Sequence, residues 1–411
     1  MILKKFAVFV ICILVIGVLF FYKKKSIFDL LDEVESDYVI VDKYYIYGNH
    51  LNIEGSIDID SDDISLVFKG LDNEISFDID YNDGKFTTSK YINEGIYLDD
   101  IQTGEYFVFI KVGTDDVKYY SLVNNTDYNN TDYYTVTRNN KNNLININFS
   151  NKNHIDYMMV SVSDTKVSNN YYDVVIDPGH GGDDPGASYS YYTEAELNLD
   201  YALALKDALE DIGLKVILTR VEDVYTEAYG NNSRTSIPYE VNAKYFISLH
   251  LNSTDDKMKY GGIEVYAPTL TNLDFASSLA KNIVLSADTN YSKNESFNVD
   301  KGVYIRTFTT NDISQSIDEA KKYGYNPYPI TTNTNYYFMI RETGGFMTGA
   351  YVDGRNKNND KNEYYKSNVG AESYLLELGY INYWPDLNNL VDNQEGYIEG
   401  IVNAFKNELN L

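Results

Sequence analysis

The sequence predicts an α/β unit with a largely parallel sheet and helices on both faces. An all-β, sandwich-like region and an N-terminal transmembrane segment precede it. Three observations carry this reading. From Tyr172 onward, short apolar runs of buried-strand type alternate with stretches of helical periodicity. Between Asp37 and Asp164, short β-prone runs are separated by clusters of Asn, Asp, Gly and Ser. Near the start, Phe6–Tyr22 is an unbroken apolar run between lysines.

At 411 residues the chain exceeds one typical domain, and a hydrophobic fraction of 44% is ample for a packed core. A net charge of -27 argues against nucleic acid as a partner, because binding a phosphate backbone needs basic patches. The single cysteine, Cys12, lies inside the apolar run, which excludes a disulfide framework and a cysteine-based metal site. That run is about the minimum length for a membrane span. The following KKKSIFDL offers no small-residue cleavage site, so residues 1–25 read as an uncleaved, single-pass signal anchor. Lysines on both flanks leave its orientation undecided by charge.

Region 37–165 is expected to hold strands at Tyr38–Val41, Ile64–Phe68, Ile75–Ile79, Tyr106–Val112, Tyr119–Val123 and Leu144–Phe149, with a turn at Asn82-Asp83-Gly84. His50 and His154 lack nearby ligand-type partners, so the region reads as a spacer or binding module. Residues 166–171 form the expected linker. In 172–411, Val174–Ile176 is the first buried strand, broken by Asp177-Pro178-Gly179. Leu199, Ala202, Leu205, Leu209 and Ile212 recur at helical spacing, and Gly213 supplies the stop. Lys215–Thr219, Tyr245–Leu249, Ile263–Tyr266 and Tyr374–Leu378 are further strands. Leu273–Ala287 and the stripe from Ile398 to Leu409 are amphipathic helices.

The chemistry gathers at strand ends. His180, in GHGGDDPGA, follows the first strand, at the carboxyl edge where open α/β sheets place their sites. The loop lacks GxGxxG and the Walker lysine, which weakens a phosphate-cradling alternative. His250 follows the strand YFISL, and Glu194 opens the first helix. Two histidines and a carboxylate from separate elements make a catalytic zinc set, with the fourth position left for water. Glu377 interrupts the apolar strand YLLELGYI. A buried carboxylate costs several kcal/mol unless it is paired or functional. On the same rim it is placed to take a proton from water. The alternative is a structural ion pair with Arg220 or Arg341.

Four blocks carry a family resemblance: VVIDPGHGGDDPGA, TEAELNL leading to GLKVILTR, YFISLHLNS and LLELGYIN. Together they make the chain from about Tyr172 to Leu411 resemble the zinc-dependent N-acetylmuramoyl-L-alanine amidases of the Amidase_3 type. The resemblance implies one zinc ion per chain on His180, Glu194 and His250, with Glu377 as the catalytic residue. Glu196 competes with Glu194 as the third ligand. Glu194 is preferred because the family's ligand lies four residues before an Asn-Leu pair, here Asn198-Leu199. Arg220 and Arg234 match recurring arginines, to which a structural role is assigned. The implied reaction is hydrolysis of the amide between N-acetylmuramic acid and L-alanine in peptidoglycan. Because that substrate lies outside the cytoplasm, the chain is expected at the cell membrane with its body on the wall side. A zinc peptidase acting on stem peptides and a catalytically inactive wall-binding protein are the alternatives.

One departure is the stretch 307–370, longer than the family's compact form, which follows the block Asp300-Lys301-Gly302-Val303. Within it a helix is expected over Asp312–Tyr323, with Asp312 as N-cap, Gln315 completing a capping box and Gly324 as the stop. Ile313, Ile317 and Ala320 form its apolar face. In some members of the resembled family an insertion blocks the zinc site until an activator displaces it. Thr307–Thr332 is therefore expected to cover or line the cleft, with an activator protein as a partner acting on it.

Overall fold

The computed structural model describes residues 25–35, 37–59, 61, 63–124, 131–138, 141–166, 170–255, 260–324, 326–327, 330–350 and 370–411. The apolar run 6–22, positions 167–169 of the linker and positions 351–369 of the insertion lie outside them. Among the described residues no helix is long and apolar enough to cross a membrane.

The N-terminal strands join into one hydrogen-bonded twelve-stranded sheet around a shared apolar core. Continuity comes from Gly104–Val112. It bonds Ile64–Lys69 along one edge and both Lys118–Asn124 and Ile155–Lys166 along the other. Two strands that the sequence pattern did not reveal, His50–Ser56 and Ile155–Lys166, are hairpin partners of Tyr38–Tyr47 and Lys141–Lys152. The second hairpin turns at Asn153-His154 with φ of 55° and 67°, the mirror-image turn that matches strand twist. Alternation along the strands puts Leu66, Phe68, Val108 and Ile110 into one apolar core. Val67, Phe107 and Phe109 face the other way, against Leu31 of a short 3₁₀ turn over Ile27–Asp32.

The C-terminal unit is built on strands β1 (Val174–Pro178), β2 (Val216–Leu218), β3 (Tyr245–Asn252), β4 (Glu264–Tyr266), β5 (Asn298–Asp300), β6 (Val303–Tyr304) and β7 (Glu372–Tyr380). Their order is β2-β1-β3-β7-β4-β6-β5. The first four run parallel, but β4 is antiparallel to β7 and β5 to β6. The sheet is thus mixed, which corrects the expectation of a largely parallel one. The cause lies in the connections. A parallel crossover needs a dozen or more residues, usually a helix, and the link 253–263 between β3 and β4 is too short for one.

Period-two alternation divides the central strands between two layers. Val174, Ile176, Tyr245 and Ile247 pack under helices α1 (Glu194–Asp211), α2 (Asp274–Ser286) and α6 (Gln394–Leu409). Val175 and Phe246 face Met339 of α4 (Phe338–Thr343). The chain between these helices forms α3 (Thr310–Tyr323), and α5 (Trp384–Asp392) precedes α6. Helix α3 starts earlier than expected. Its capping box joins Thr309 to Asp312 instead of Asp312 to Gln315, because Thr309-x-x-Asp312 satisfies the same reciprocal pattern and adds residues to the helix. Gly324 ends it in the left-handed conformation at φ 73°. On the expected apolar face Ala320 is buried, whereas Ile317 is 36% exposed.

The β-rich unit packs on the amino edge of the second sheet. Thr137 N–H and the Tyr171 hydroxyl donate to Asp173, just before β1, both at 2.8 Å. Asn93 Nδ2 donates to Oε1 of Glu372, the first residue of β7, at 2.9 Å. Glu372 is fully buried, and its carboxyl is pushed up to about 8, first by burial and then by Glu408. The folded chain therefore holds a proton that the unfolded chain releases near its ordinary value of about 4.5. This contribution to stability is complete below about 4.5 and is lost as pH rises through about 8. Glu372→Gln keeps an acceptor for Asn93 and should flatten that decline. Urea unfolding at pH 5 and pH 8, run on both proteins, checks it, and an unchanged slope would contradict it.

Candidate metal and proton-transfer site

The rim at the carboxyl end of the sheet is assembled by two arginines and one aspartate. Asp177, at the end of β1, accepts from Thr219 Oγ1 and Ser248 Oγ, each at 2.7 Å. Arg234 closes on it with Nε and Nη2, both at 2.8 Å, in a bidentate pair. Burial raises the Asp177 carboxyl, but Arg234 and the hydroxyls outweigh it and hold it at about 2. Arg220 donates to the carbonyls of Pro178, Gly179 and Ala195 at 3.1, 3.0 and 2.7 Å. It therefore ties the turn before His180 to the first turn of α1, where Glu194 sits. Both arginines are structural, as their place in the pattern implied.

His180, Glu194 and His250 come together on this rim, their ligand-type atoms within 4.8 Å of one another. Glu194 Oε1 lies 3.2 Å from His180 Nε2 and 3.0 Å from His250 Nδ1. Its two oxygens also accept from Leu251 N–H and Ala187 N–H, each at 3.0 Å. Burial pushes Glu194 upward, but the two imidazoles outweigh it and keep its carboxyl well below the ordinary range. Glu196 is exposed and bonded to Thr193 Oγ1 at 2.9 Å, away from the histidines. Two glycines admit this packing. A Cβ on Gly179 would lie 2.4 Å from the His250 ring, and one on Gly186 2.7 Å from both Glu194 Oε2 and the His180 ring.

Two imidazole nitrogens and one carboxylate oxygen form a donor set suited to zinc. Asp184 Oδ2 holds His180 Nδ1 at 2.9 Å, which orients the ring with Nε2 toward Glu194. Such an outer carboxylate fixes the tautomer of a ligating histidine. The sequence pattern did not single out Asp184, although its place one turn beyond His180 in the same glycine-rich loop was a usable signal.

Glu377 stands beside His250 in the register of β3 and β7, and opposite Glu264 in the register of β7 and β4. Its Oε2 is buried without a hydrogen-bond partner among the described residues. Arg220 is committed to backbone carbonyls, and Arg341 to Glu342 and the carbonyls of Asn335 and Tyr336. Neither makes the ion pair that was the alternative reading. Burial first, then the charges of Glu194 and Glu264, push the Glu377 carboxyl well above the ordinary range. Glu264 was missed in the sequence. It is fully buried and accepts from the hydroxyls of Tyr266, Ser292 and Tyr380 at 2.6, 2.7 and 2.7 Å. A carboxylate inside the apolar strand IEVY carried the same signal as Glu377 in YLLELGYI.

A family model described as N-acetylmuramoyl-L-alanine amidase matches residues 174–407. The chain is 35% identical over 119 residues to the sporulation-specific N-acetylmuramoyl-L-alanine amidase of Bacillus subtilis, covering 28% of this chain and 44% of that one. It is 30% identical over 141 residues to the N-acetylmuramoyl-L-alanine amidase LytC of the same organism, covering 32% and 28%. These matches thus span less than half the length of either relative. Among solved structures, it is similar to the catalytic domain of the amidase CwlV from Bacillus (Paenibacillus) polymyxa var. colistinus. That match has 21% identity, 58% and 98% coverage and a TM-score of 0.38. It is also similar to the CwlD amidase of Clostridioides difficile in complex with the GerS lipoprotein, with 20% identity, 58% and 99% coverage and a TM-score of 0.35.

If the three converging side chains hold the metal, His180→Ala, His250→Ala and Glu194→Gln should each lose bound zinc, whereas Glu196→Gln should retain it. Metal content by plasma mass spectrometry after dialysis decides. Full retention by either histidine variant, or loss only in Glu196→Gln, would contradict the assignment.

Proposed function

The chain belongs to the N-acetylmuramoyl-L-alanine amidase family, and from that premise we propose that it is a zinc-dependent peptidoglycan amidase. Its reaction is hydrolysis of the amide joining the lactyl group of N-acetylmuramic acid to L-alanine. The observation that carries the reading is the convergence of His180, Glu194 and His250 beside Glu377 on one rim. The three would hold one zinc ion per chain and leave a coordination position open. When bound, the ion supplies Lewis acidity toward a carbonyl oxygen and lowers the pKa of a water.

Glu377 moves the proton. Its carboxylate takes one from the attacking water as the water oxygen bonds to the amide carbon. It then gives that proton to the L-alanine nitrogen as the C–N bond breaks. A free amine leaves, and the lactyl group remains as a carboxylic acid. The place of Glu377 in register between His250 and Glu264 puts it on the rim where both transfers would occur. Asp184 keeps His180 aimed inward, and Arg220 fixes the separation of its loop from Glu194.

Glu377→Gln should fold, keep its metal and lose turnover by ~10²–10⁴-fold. Mass spectrometry of digested wall fragments should show peptides with free L-alanine amino termini and intact sugars, and a chelator should abolish them. Cuts within the stem peptide would assign the site to a peptidase. Near-normal turnover in the variant would remove Glu377 as the base.

We further propose that residues 6–22 anchor the protein in the cell membrane, single-pass, with its body on the wall side. The support is the lysine-flanked apolar run and the external substrate. Protease added to intact, wall-stripped cells should remove the body, and protection from it would reverse the orientation.

A further inference from the structure

The insertion that departs from the family's compact form builds a groove of about 500 Å³ beside the rim. That volume falls in the range of small-ligand sites. Its aromatic side is made of two ring pairs. Phe308 and Tyr336 lie 5.1 Å apart between centroids, and Tyr229 and Phe338 lie 5.9 Å apart. Its polar side is helix α3, which presents Asp312, Gln315, Ser316 and Glu319. These four recur at helical spacing and share one face.

The groove connects to the chemistry through adjacent side chains. Tyr337 follows Tyr336, and its ring lies 4.7 Å from that of Tyr266. Tyr266 donates to Glu264, which pairs in register with Glu377. Tyr337 is pushed up to about 12 by burial and then by the charge of Glu377, which also marks their proximity. On the far side, Tyr229 belongs to the loop that follows β2. Val224 and Tyr225 of that loop pack against Gly181 and Gly182, next to His180. The groove wall at Tyr336 is thus linked to Glu377 through Tyr337, Tyr266 and Glu264, and the loop that carries Tyr229 reaches the turn beside His180.

We propose that this groove is a saccharide subsite that holds the glycan strand of the substrate beyond the sugar whose lactyl group is cut. A pyranose ring offers apolar C–H faces and a rim of hydroxyls. The ring pairs fit the first, and the carboxylate, amide and hydroxyl groups of α3 accept from and donate to the second. Charge separates this ligand from the other half of the substrate. A stem peptide carries carboxylates, which Asp312 and Glu319 would repel. Among the described residues two cations stand at the groove: Arg341 is already bonded to Glu342 Oε1 at 2.9 Å and to two backbone carbonyls, and Arg306 lies over the Tyr336 ring at 3.7 Å. The inference takes its substrate from the amidase reading, but its test does not depend on turnover.

The test is isothermal titration of the full-length chain with chitotetraose, a neutral N-acetylated glycan, and separately with a soluble stem tripeptide. Chitotetraose should bind, and Phe338→Ala should weaken it by about tenfold, the loss of about 1.4 kcal/mol of contact. Phe338 is 36% exposed, so its truncation leaves the core intact. Glu319→Lys, on the exposed surface of α3, should weaken the glycan and, by reversing the charge that repels carboxylates, ease the exclusion of the tripeptide. Metal content should be the same in all three proteins. Absence of chitotetraose binding, or binding indifferent to both variants, overturns the subsite and leaves the amidase reading untouched. Tripeptide binding that Phe338→Ala abolishes would reassign the groove to the stem. Failure of the amidase reading shows instead in the wall products, whatever the titration gives.

Discussion

The buried carboxylate of Asp177 is the interaction on which the rim depends. One side chain collects Thr219 beyond β2, Ser248 within β3 and Arg234 from the loop between them. These contacts stitch three neighbouring strand ends together where the chain must leave the sheet. His180 enters its loop three residues later with φ of 62°, a conformation a non-glycine residue keeps only when its surroundings enforce it. Removing one partner of such a buried pair typically costs about 3–5 kcal/mol, because the other charge is left without compensation. The position of His180 therefore rests on an ion pair three residues before it in the chain.

The two edges of the C-terminal sheet serve different ends. At the carboxyl edge, Glu377 lies between the histidine of one neighbouring strand and the buried Glu264 of the other. At the amino edge of the same strand, Glu372 is held by Asn93 of the β-rich unit. Both carboxyls are driven upward by burial, yet only Glu377 stands on the rim beside His250. The β-rich unit thus packs against the amino edge of the C-terminal sheet, opposite the rim.

Much of this was legible in the sequence, because strand-end chemistry leaves local marks. His180 after a proline-glycine break and His250 after YFISL announced themselves by sitting at strand ends, and Glu377 by being a carboxylate in an apolar run. Glu194 was less distinct from Glu196 because both face the first turn of a helix. Burial separates them, and burial is a tertiary property. Pairings were hidden for a similar reason. His50–Ser56 and Ile155–Lys166 carry polar residues on their outer faces and resemble loop until their hairpin partners are known. The reversal of β4 was not visible either, since a three-residue strand has no direction in its sequence and only the length of its connection constrains it. Glu264 carried the same mark as Glu377, a carboxylate inside an apolar run, in a strand of only three residues.

We propose that one metal ion sits among His180, Glu194 and His250. Diffraction from crystals of the zinc-loaded full-length protein, collected on both sides of the zinc absorption edge, tests it most directly. A single anomalous peak is expected within ~2.0–2.2 Å of His180 Nε2, His250 Nδ1 and a Glu194 carboxylate oxygen, with a fourth position free of protein. A peak held by Glu196, one held by Glu377 in place of Glu194, or no peak on this rim would contradict it.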